Sequence, residues 1–155
     1  MTMISTIIDF ANLLLAALLV GALFGVWLSF NPVGLDAGSW IAQQQHGIRA
    51  MNGRMPVLGG VTLLVTIAAT ALAYSDRTRF VMLVAAAISL LAAGLITRFL
   101  NQPINAIVIT WSVETPPANW AQLRDSWWYW HMMRLAAGLI GLCLLIAAAL
   151  KPTIG

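Results

Sequence analysis

The chain has 155 residues, of which 61% are hydrophobic and only 8% charged, and its formal net charge is +3. About a quarter of the residues in a soluble domain are charged, so this chain cannot cover a water-facing surface. The composition therefore predicts a membrane protein with a single domain, residues 1–155, and argues against a soluble enzyme. Its lysines and arginines form no cluster typical of nucleic-acid binding, so we expect no nucleic-acid partner. The single cysteine, Cys143, excludes an intramolecular disulfide.

Four long runs without charged residues predict helices that cross the membrane, because a span needs roughly 20 apolar residues. We predict an all-α, four-helix transmembrane bundle with spans at about 8–30, 52–74, 80–102 and 129–150. Residues 39–52 should form a helical lead-in to the second span, and residues 112–126 a polar loop. In the first span, Gly21 and Gly25 have the spacing that permits close contact between helices, within the chain or between copies.

The fourth span is short, and this places charged side chains near lipid. Only 16 residues separate Arg134 from Lys151. A helix of that length covers about 24 Å, less than the ~30 Å hydrocarbon core. Arg134, with His131 one turn before it, should therefore lie at or just inside the membrane boundary. Arg134 can reach the headgroups by snorkelling, or it can face the bundle interior and be paired there.

Polar side chains recur at helical spacing in three places, and each set falls on one face of a helix. Because consecutive spans alternate in direction, the three sets lie on the same side of the membrane, together with all seven tryptophans. We therefore predict a polar pocket under an aromatic-rich cap on one membrane face. The alternative is an interfacial belt of tryptophans and snorkelling arginines. The candidate binding residues are Gln45, Arg49, Asn52, Arg98, Asn101, Asn105, Trp111 and Trp127, and the candidate catalytic residues are His131 and Arg134.

Metal or haem binding is an alternative that the two histidines leave open. His46 and His131 could act as ligands, with Glu114 or Asp125 as a third. However, no H-x-x-x-H or E-x-x-H pattern is present, and nearby arginines disfavour a bound cation. We therefore predict no metal or organic cofactor. A small-molecule-binding membrane subunit without enzymatic activity also remains open.

Without a metal, the predicted site consists of a histidine, arginines, amides and tryptophans. These side chains suit a flat, apolar substrate that carries a phenol or an acidic C–H bond. A neutral His131 can remove a proton if its pKa lies near the working pH. Arginine and asparagine can stabilise the oxyanion that develops, and tryptophan rings can stack on the substrate plane. This combination predicts a site for deprotonation.

Two short motifs resemble the anthrone-oxygenase-like integral membrane family. The first is N-Q-P-I-N at the end of the third span, and the second is W-x-x-x-H-x-x-R at the start of the fourth; Asn52 also fits. The resemblance implies a four-span membrane fold and oxidation of anthrones to anthraquinones by molecular oxygen, without a metal or organic cofactor. It implies a site made of Asn52, Asn101, Asn105, Trp127, His131 and Arg134, whereas Arg98 and Gln45 are added from helical spacing.

On this hypothesis His131 deprotonates the activated methylene of a tricyclic phenol, Arg134 and the asparagines hold the anion, and oxygen is the co-substrate. The expected partners are the lipid bilayer and a small apolar aromatic substrate, and a homo-oligomer is left open. The expected location is the cytoplasmic (inner) membrane of a bacterium.

Overall fold

A computed structural model describes residues 3–151, and within that range the chain is helical and contains no β-strand. A π-helical segment, Thr97–Asn101, joins α4 to α5 without a break. The prediction of an all-α bundle is confirmed. The α-helices are α1 (Met3–Ser29), α2 (Ala37–Met51), α3 (Arg54–Leu72), α4 (Arg77–Ile96), α5 (Gln102–Val108) and α6 (Trp120–Leu150).

Four stretches of the described chain are long and apolar enough to cross a membrane, which makes this an integral membrane protein. They are α1, α3, the continuous helix Arg77–Val108, and α6. The 19 residues of α3 cover about 28 Å, close to the hydrocarbon thickness. The other three spans, of 27, 32 and 31 residues, are longer than that thickness requires. α2, α5 and the first turns of α6 together form a structure on one side, which we call the cap.

The predicted loop at residues 112–126 is wrong in its second half, because α6 already begins at Trp120. Trp120 and Leu123 pack against a buried cluster of Trp40, Ile41 and Val108. This packing stabilises the first two turns of α6, which precede the uncharged run. The uncharged run therefore marks where α6 meets the membrane and not where the helix starts.

Small residues let the spans approach closely in the half of the bundle that lies away from the cap. Ala16, Ala69, Ala73, Leu83, Ala86, Leu90, Leu145 and Ala148 form its buried core. A Cβ added at Gly141 would lie 3.1 Å from Leu90, and one added at Gly138 would lie 3.3 Å from Val20. By contrast, a Cβ at Gly21 or Gly25 would meet nothing within 4 Å. Within this chain the close helix contacts therefore form at the glycines of α6.

Polar contacts also hold this half of the bundle together. The Thr66 hydroxyl donates to Asn12 Oδ1 at 2.8 Å, a buried bond between α3 and α1. At the membrane edge, Arg79 pairs with Asp9 and Lys151 pairs with Asp76. Asp76 also caps the N-terminus of α4, and its hydrogen bond with Lys151 holds the pKa of its carboxyl below the usual range. Arg79 and Lys151 are thus each neutralised by an acidic side chain.

Candidate functional site

The cap is built on a cluster of aromatic rings. The Trp40 ring lies 6.1 Å from Trp111 and 6.3 Å from Trp120, measured between centroids. Gln45 is buried beside them, and its amide donates to the carbonyls of Val108 at 3.0 Å and Trp111 at 2.8 Å. Val108 ends α5 and Trp111 follows three residues later, where the carbonyls of a helix lack their full set of partners. Gln45 therefore fixes α2 to α5 and gives the cap a defined shape.

The π-helical segment before Pro103 sets the direction of the polar side chains on the third span. Proline has no amide hydrogen, so the regular pattern of helical bonds cannot continue through residue 103. One residue earlier, the Gln102 amide bonds to the Thr97 carbonyl, five residues back. The wider turn directs Asn101 to α6, where its side-chain amide donates to the Trp127 carbonyl at 3.0 Å. Arg98 and Asn105, in contrast, face a cavity. Such π turns often occur at functional sites.

The cavity lies beneath the cap and has a volume of about 300 Å³. All four spans and α2 contribute to its wall. The end near the cap is polar, with Gln44, Asn52, Arg98, Gln102, Asn105 and Arg134. The deeper end is apolar, with Leu19, Leu23, Leu63 and Leu90. A volume of this size is at the lower end of the range for small-molecule sites. The wall therefore suits an amphipathic guest with its polar group towards the cap.

Arg134 is held at the cavity wall by its two neighbours on α6. Its Nε and Nη2 lie 3.1 Å and 2.9 Å from His131 Nδ1, and its Cζ lies 5.7 Å from the centre of the Trp127 ring. The Trp127 and His131 rings are stacked, with centroids 5.4 Å apart and planes 7° apart. The i, i+4, i+7 spacing of these residues thus produces a layered arrangement with the guanidinium next to the cavity.

His131 is fully buried, and its hydrogen bond to Arg134 defines its protonation state. A ring nitrogen that accepts from a guanidinium carries no proton, so the imidazole is neutral with its hydrogen on Nε2. The Leu23 carbonyl of α1 faces the ring, but Nε2 makes no hydrogen bond of ordinary geometry. His131 lies directly behind Arg134 and does not itself line the cavity.

The arginines at the cavity have no acidic partner. Among the described residues the ion pairs are Asp9 with Arg79, Asp125 with Arg124, and Asp76 with Lys151. None of these pairs involves Arg134 or Arg98, the two cations in the cavity wall. The site is therefore positively charged and unneutralised within residues 3–151.

The structure brings half of the predicted site residues to the cavity wall: Asn52, Arg98, Asn105, Trp127 and Arg134. It places the others elsewhere. Gln45 and Trp111 belong to the cap, and Arg49 is exposed with only a 3.4 Å contact to Gln45 Oε1. Asn101 is buried between the third and fourth spans, where it joins the π segment to α6.

Sequence reasoning missed three amides, Gln43, Gln44 and Gln102, all of which line the cavity. Gln44 donates to Asn105 Oδ1 at 2.9 Å and so links α2 to α5. The sequence contained a pattern that could have identified Gln44, because Gln44, Ile48 and Asn52 follow each other at i, i+4 and i+8 on one helix face. That stripe overlaps the predicted stripe of Gln45 and Arg49, from which it differs by a rotation of about 100°.

The alternative metal site rests on His46 and His131, which have different surroundings. His46 is exposed on α2, whereas His131 is buried against α6 tryptophans. Within residues 3–151, no group of three or more His, Cys, Asp or Glu side chains is arranged to hold a metal ion.

The chain was also compared with known proteins. No curated protein and no solved structure matches it. The family model described as anthrone oxygenase matches residues 48–144, more than half of the chain. The matched region runs from the last turn of α2 into the second half of α6, so it contains the cavity-lining residues from Asn52 to Arg134. The chain therefore belongs to the anthrone oxygenase family.

Proposed function

We propose that this protein is a membrane oxygenase that binds a flat, apolar phenolic or polycyclic molecule in the cavity and oxidises it with molecular oxygen, without a metal or organic cofactor. The observation that carries the proposal is Arg134, a cation that forms no ion pair with any described residue and lies at the wall of a largely apolar cavity. Membership of the family supports it. We propose the cytoplasmic membrane of a bacterium as its location.

The charge of Arg134 favours a ligand with an acidic oxygen. A cation in low-dielectric surroundings is costly unless an anion or several hydrogen bonds compensate for it. A guanidinium has five N–H groups, and two of those on Arg134 are directed at His131. Three remain for a ligand. A phenolate or enolate oxygen would supply both the acceptor and the negative charge.

The amides around Arg134 would complete the oxyanion site. Asn52, Gln102 and Asn105 line the same end of the cavity, and each can donate to an oxygen. Donors fixed before the substrate arrives stabilise the anion without reorganisation. Part of the Trp127 ring lines the wall, and the apolar end would hold the rest of a fused-ring body.

The proposed reaction converts a methylene to a carbonyl and uses one molecule of oxygen. Loss of a proton from the CH₂ group gives a carbanion that is delocalised onto the oxygen held by Arg134. Electron transfer to O₂ and recombination form a C–O bond, and protonation gives a hydroperoxide. Loss of water from the hydroperoxide leaves the ketone. One oxygen atom ends in the product and the other in water, so the substrate is oxidised by four electrons.

His131 is the proposed proton acceptor, and its position places a condition on that role. Its Nδ1 lone pair is directed at Arg134, so it becomes free only when the guanidinium turns towards the bound anion. Substrate binding and release of the base would then be coupled. His131 also holds Arg134 at the wall, so its loss should affect both binding and turnover.

The proposal is tested by mixing the purified protein with a hydroxyanthrone in oxygenated buffer and following oxygen consumption and anthraquinone formation. We expect one O₂ consumed per anthraquinone formed, and loss of turnover in His131→Ala and Arg134→Ala with the helical circular dichroism retained. Arg77→Ala is the matched control, because Arg77 is an exposed arginine at the opposite end of the bundle.

Full turnover in both site variants would refute the proposed mechanism. Hydroxyanthrone binding without oxygen uptake would instead identify a non-enzymatic binding protein. Stoichiometric iron or copper, or a bound haem, in the active protein would contradict the cofactor-free reaction.

A further inference from the structure

The cavity wall is closed on most sides and open along two edges that face each other. Most lining residues on α1, α2 and α6 are buried or only partly exposed. The exposed lining residues form two rows: one runs from the turn before α3 along an edge of α3 at i, i+4 and i+8, and the other runs along an edge of α4 into the π segment at i, i+3 and i+7. They are Asn52, Pro56 and Gly60 on the first edge, and Leu91, Gly94 and Arg98 on the second.

The gap between these edges lies in the part of the bundle that crosses the membrane. Gly60 is in the second turn of α3, about 9 Å from Arg54 along the helix axis. A Cβ added at Gly60 or Gly94 would meet nothing within 4 Å, so neither edge touches the other at these positions. Further from the cap the same two helices share the core around Ala69 and Ala86. The helices are therefore packed at one end and separated at the other.

From this geometry we infer that the gap between α3 and α4 is a lateral portal, through which the substrate enters the cavity from the lipid phase. The inference rests on the proposed function and adds the route and the physical class of the substrate. The ligand would be a planar, membrane-dissolved aromatic with one acidic oxygen, not a water-borne metabolite. The cap lies between the cavity and the water on that side of the membrane.

The polarity of the two edges matches such a ligand. At the cap end the edges are Asn52 and Arg98, which also line a groove that continues past Pro103 on the outer surface. Deeper in the membrane the edges are Gly60 and Leu91. An amphipathic aromatic lies in a bilayer with its oxygen at the interface and its rings among the acyl chains. It could therefore move sideways into the cavity without turning, and its oxygen would pass Arg98 on the way to Arg134.

The portal can be tested with a reversible plug at Gly94. Gly94→Cys is made in a Cys143→Ser background, because the native cysteine is exposed. The protein is reconstituted in phosphatidylcholine vesicles and labelled with a hexyl methanethiosulfonate, which a reductant removes. Gly21→Cys in the same background is the matched control, because Gly21 is also an exposed helix glycine with open space around it but does not line the cavity.

The measurement is the rate at which a hydroxyanthrone quenches tryptophan fluorescence without oxygen, and the rate at which it dissociates. Since the ligand enters and leaves by the same route, the label on the Gly94→Cys protein should slow both rates by about tenfold or more and leave Kd within about threefold. Reductant should restore both rates. The label on the Gly21→Cys protein should change neither.

Unchanged rates in the labelled Gly94→Cys protein would overturn the portal and leave the proposed function intact. A weaker Kd with unchanged association would also overturn it, because the label would then be acting inside the site. A tightly bound phospholipid that the hydroxyanthrone fails to displace would show that the gap is a lipid site. No hydroxyanthrone binding by the unlabelled wild-type protein would overturn the proposed function and the portal with it.

Discussion

Replacing Arg134 with methionine should remove most of the affinity for an acidic aromatic ligand. Methionine keeps an unbranched chain of similar reach beside Trp127 but carries no charge and no N–H donor. Truncating one member of a buried, hydrogen-bonded charge pair costs about 2–5 kcal/mol. Arg134 is only partly buried, and the amides of Asn52 and Asn105 would remain as donors, so the lower part of that range applies. A loss of about 2–3 kcal/mol corresponds to about 30- to 150-fold in Kd.

A thermal-unfolding assay without oxygen can measure this loss, since the hydroxyanthrone then binds without turnover. At a ligand concentration about 100 times the wild-type Kd, binding stabilises the folded protein by about 2.7 kcal/mol. If Arg134→Met weakens binding about 100-fold, the same concentration contributes only about 0.4 kcal/mol. The ligand-dependent rise in Tm should therefore almost disappear.

The comparison is made within each variant, with and without ligand, because the substitution also changes the ligand-free protein. It removes an uncompensated cation, which is favourable, but leaves His131 Nδ1 without a donor, which costs about 1–3 kcal/mol. Arg77→Met loses the same charge at the other end of the bundle and should keep the full ligand-dependent rise. If Arg134→Met also keeps it, the inference of an anion site at Arg134 is refuted.

Two further predictions concern stability in detergent, both measured as Tm and free energy of unfolding. Gly141→Val should destabilise the bundle by about 1–3 kcal/mol, because a Cβ there lies 3.1 Å from an α4 side chain. Gly21→Val is the control and should have little effect, because a Cβ there meets nothing within 4 Å. Equal effects of the two substitutions would contradict the close crossing of α6. Thr66→Val keeps the shape of the side chain but leaves Asn12 Oδ1 without its donor, so the free energy of unfolding should fall by about 0.5–2 kcal/mol. An unchanged free energy of unfolding would show that this hydrogen bond contributes nothing to stability.

The sequence was sufficient to predict an all-α fold with four long apolar helices, because the cost of exposing charge to lipid makes uncharged runs easy to recognise. It could not locate the start of α6, since Trp120 and Leu123 are held helical by α2 and α5 outside the membrane. That contact joins segments about 80 residues apart in the chain, from Trp40 to Trp120. No local pattern contains it.

The polar stripes all lie at the cap end of the bundle, but they did not give the rotation of each helix. Asn101 was grouped with Arg98 and Asn105 on the assumption of about 3.6 residues per turn. The π segment adds a residue to that turn, so Asn101 faces α6 while the other two face the cavity. Pro103 signalled a disturbance, but a kink, a break and a π turn all relieve a missing amide hydrogen. Only tertiary contacts decide among them.

The surrounding lipid explains why the fold can tolerate the cavity while Arg134 still needs a partner. In a soluble protein an empty apolar space of this size would cost stability through lost contacts. If the gap between α3 and α4 is the portal that we propose, acyl chains can supply those contacts, and the apolar part of the cavity then costs little. Acyl chains cannot compensate for a guanidinium, and among the described residues no carboxylate does so. The unfavourable energy of the ligand-free site is therefore concentrated on Arg134, and the lipid-soluble ligand with an acidic oxygen that we propose would relieve it.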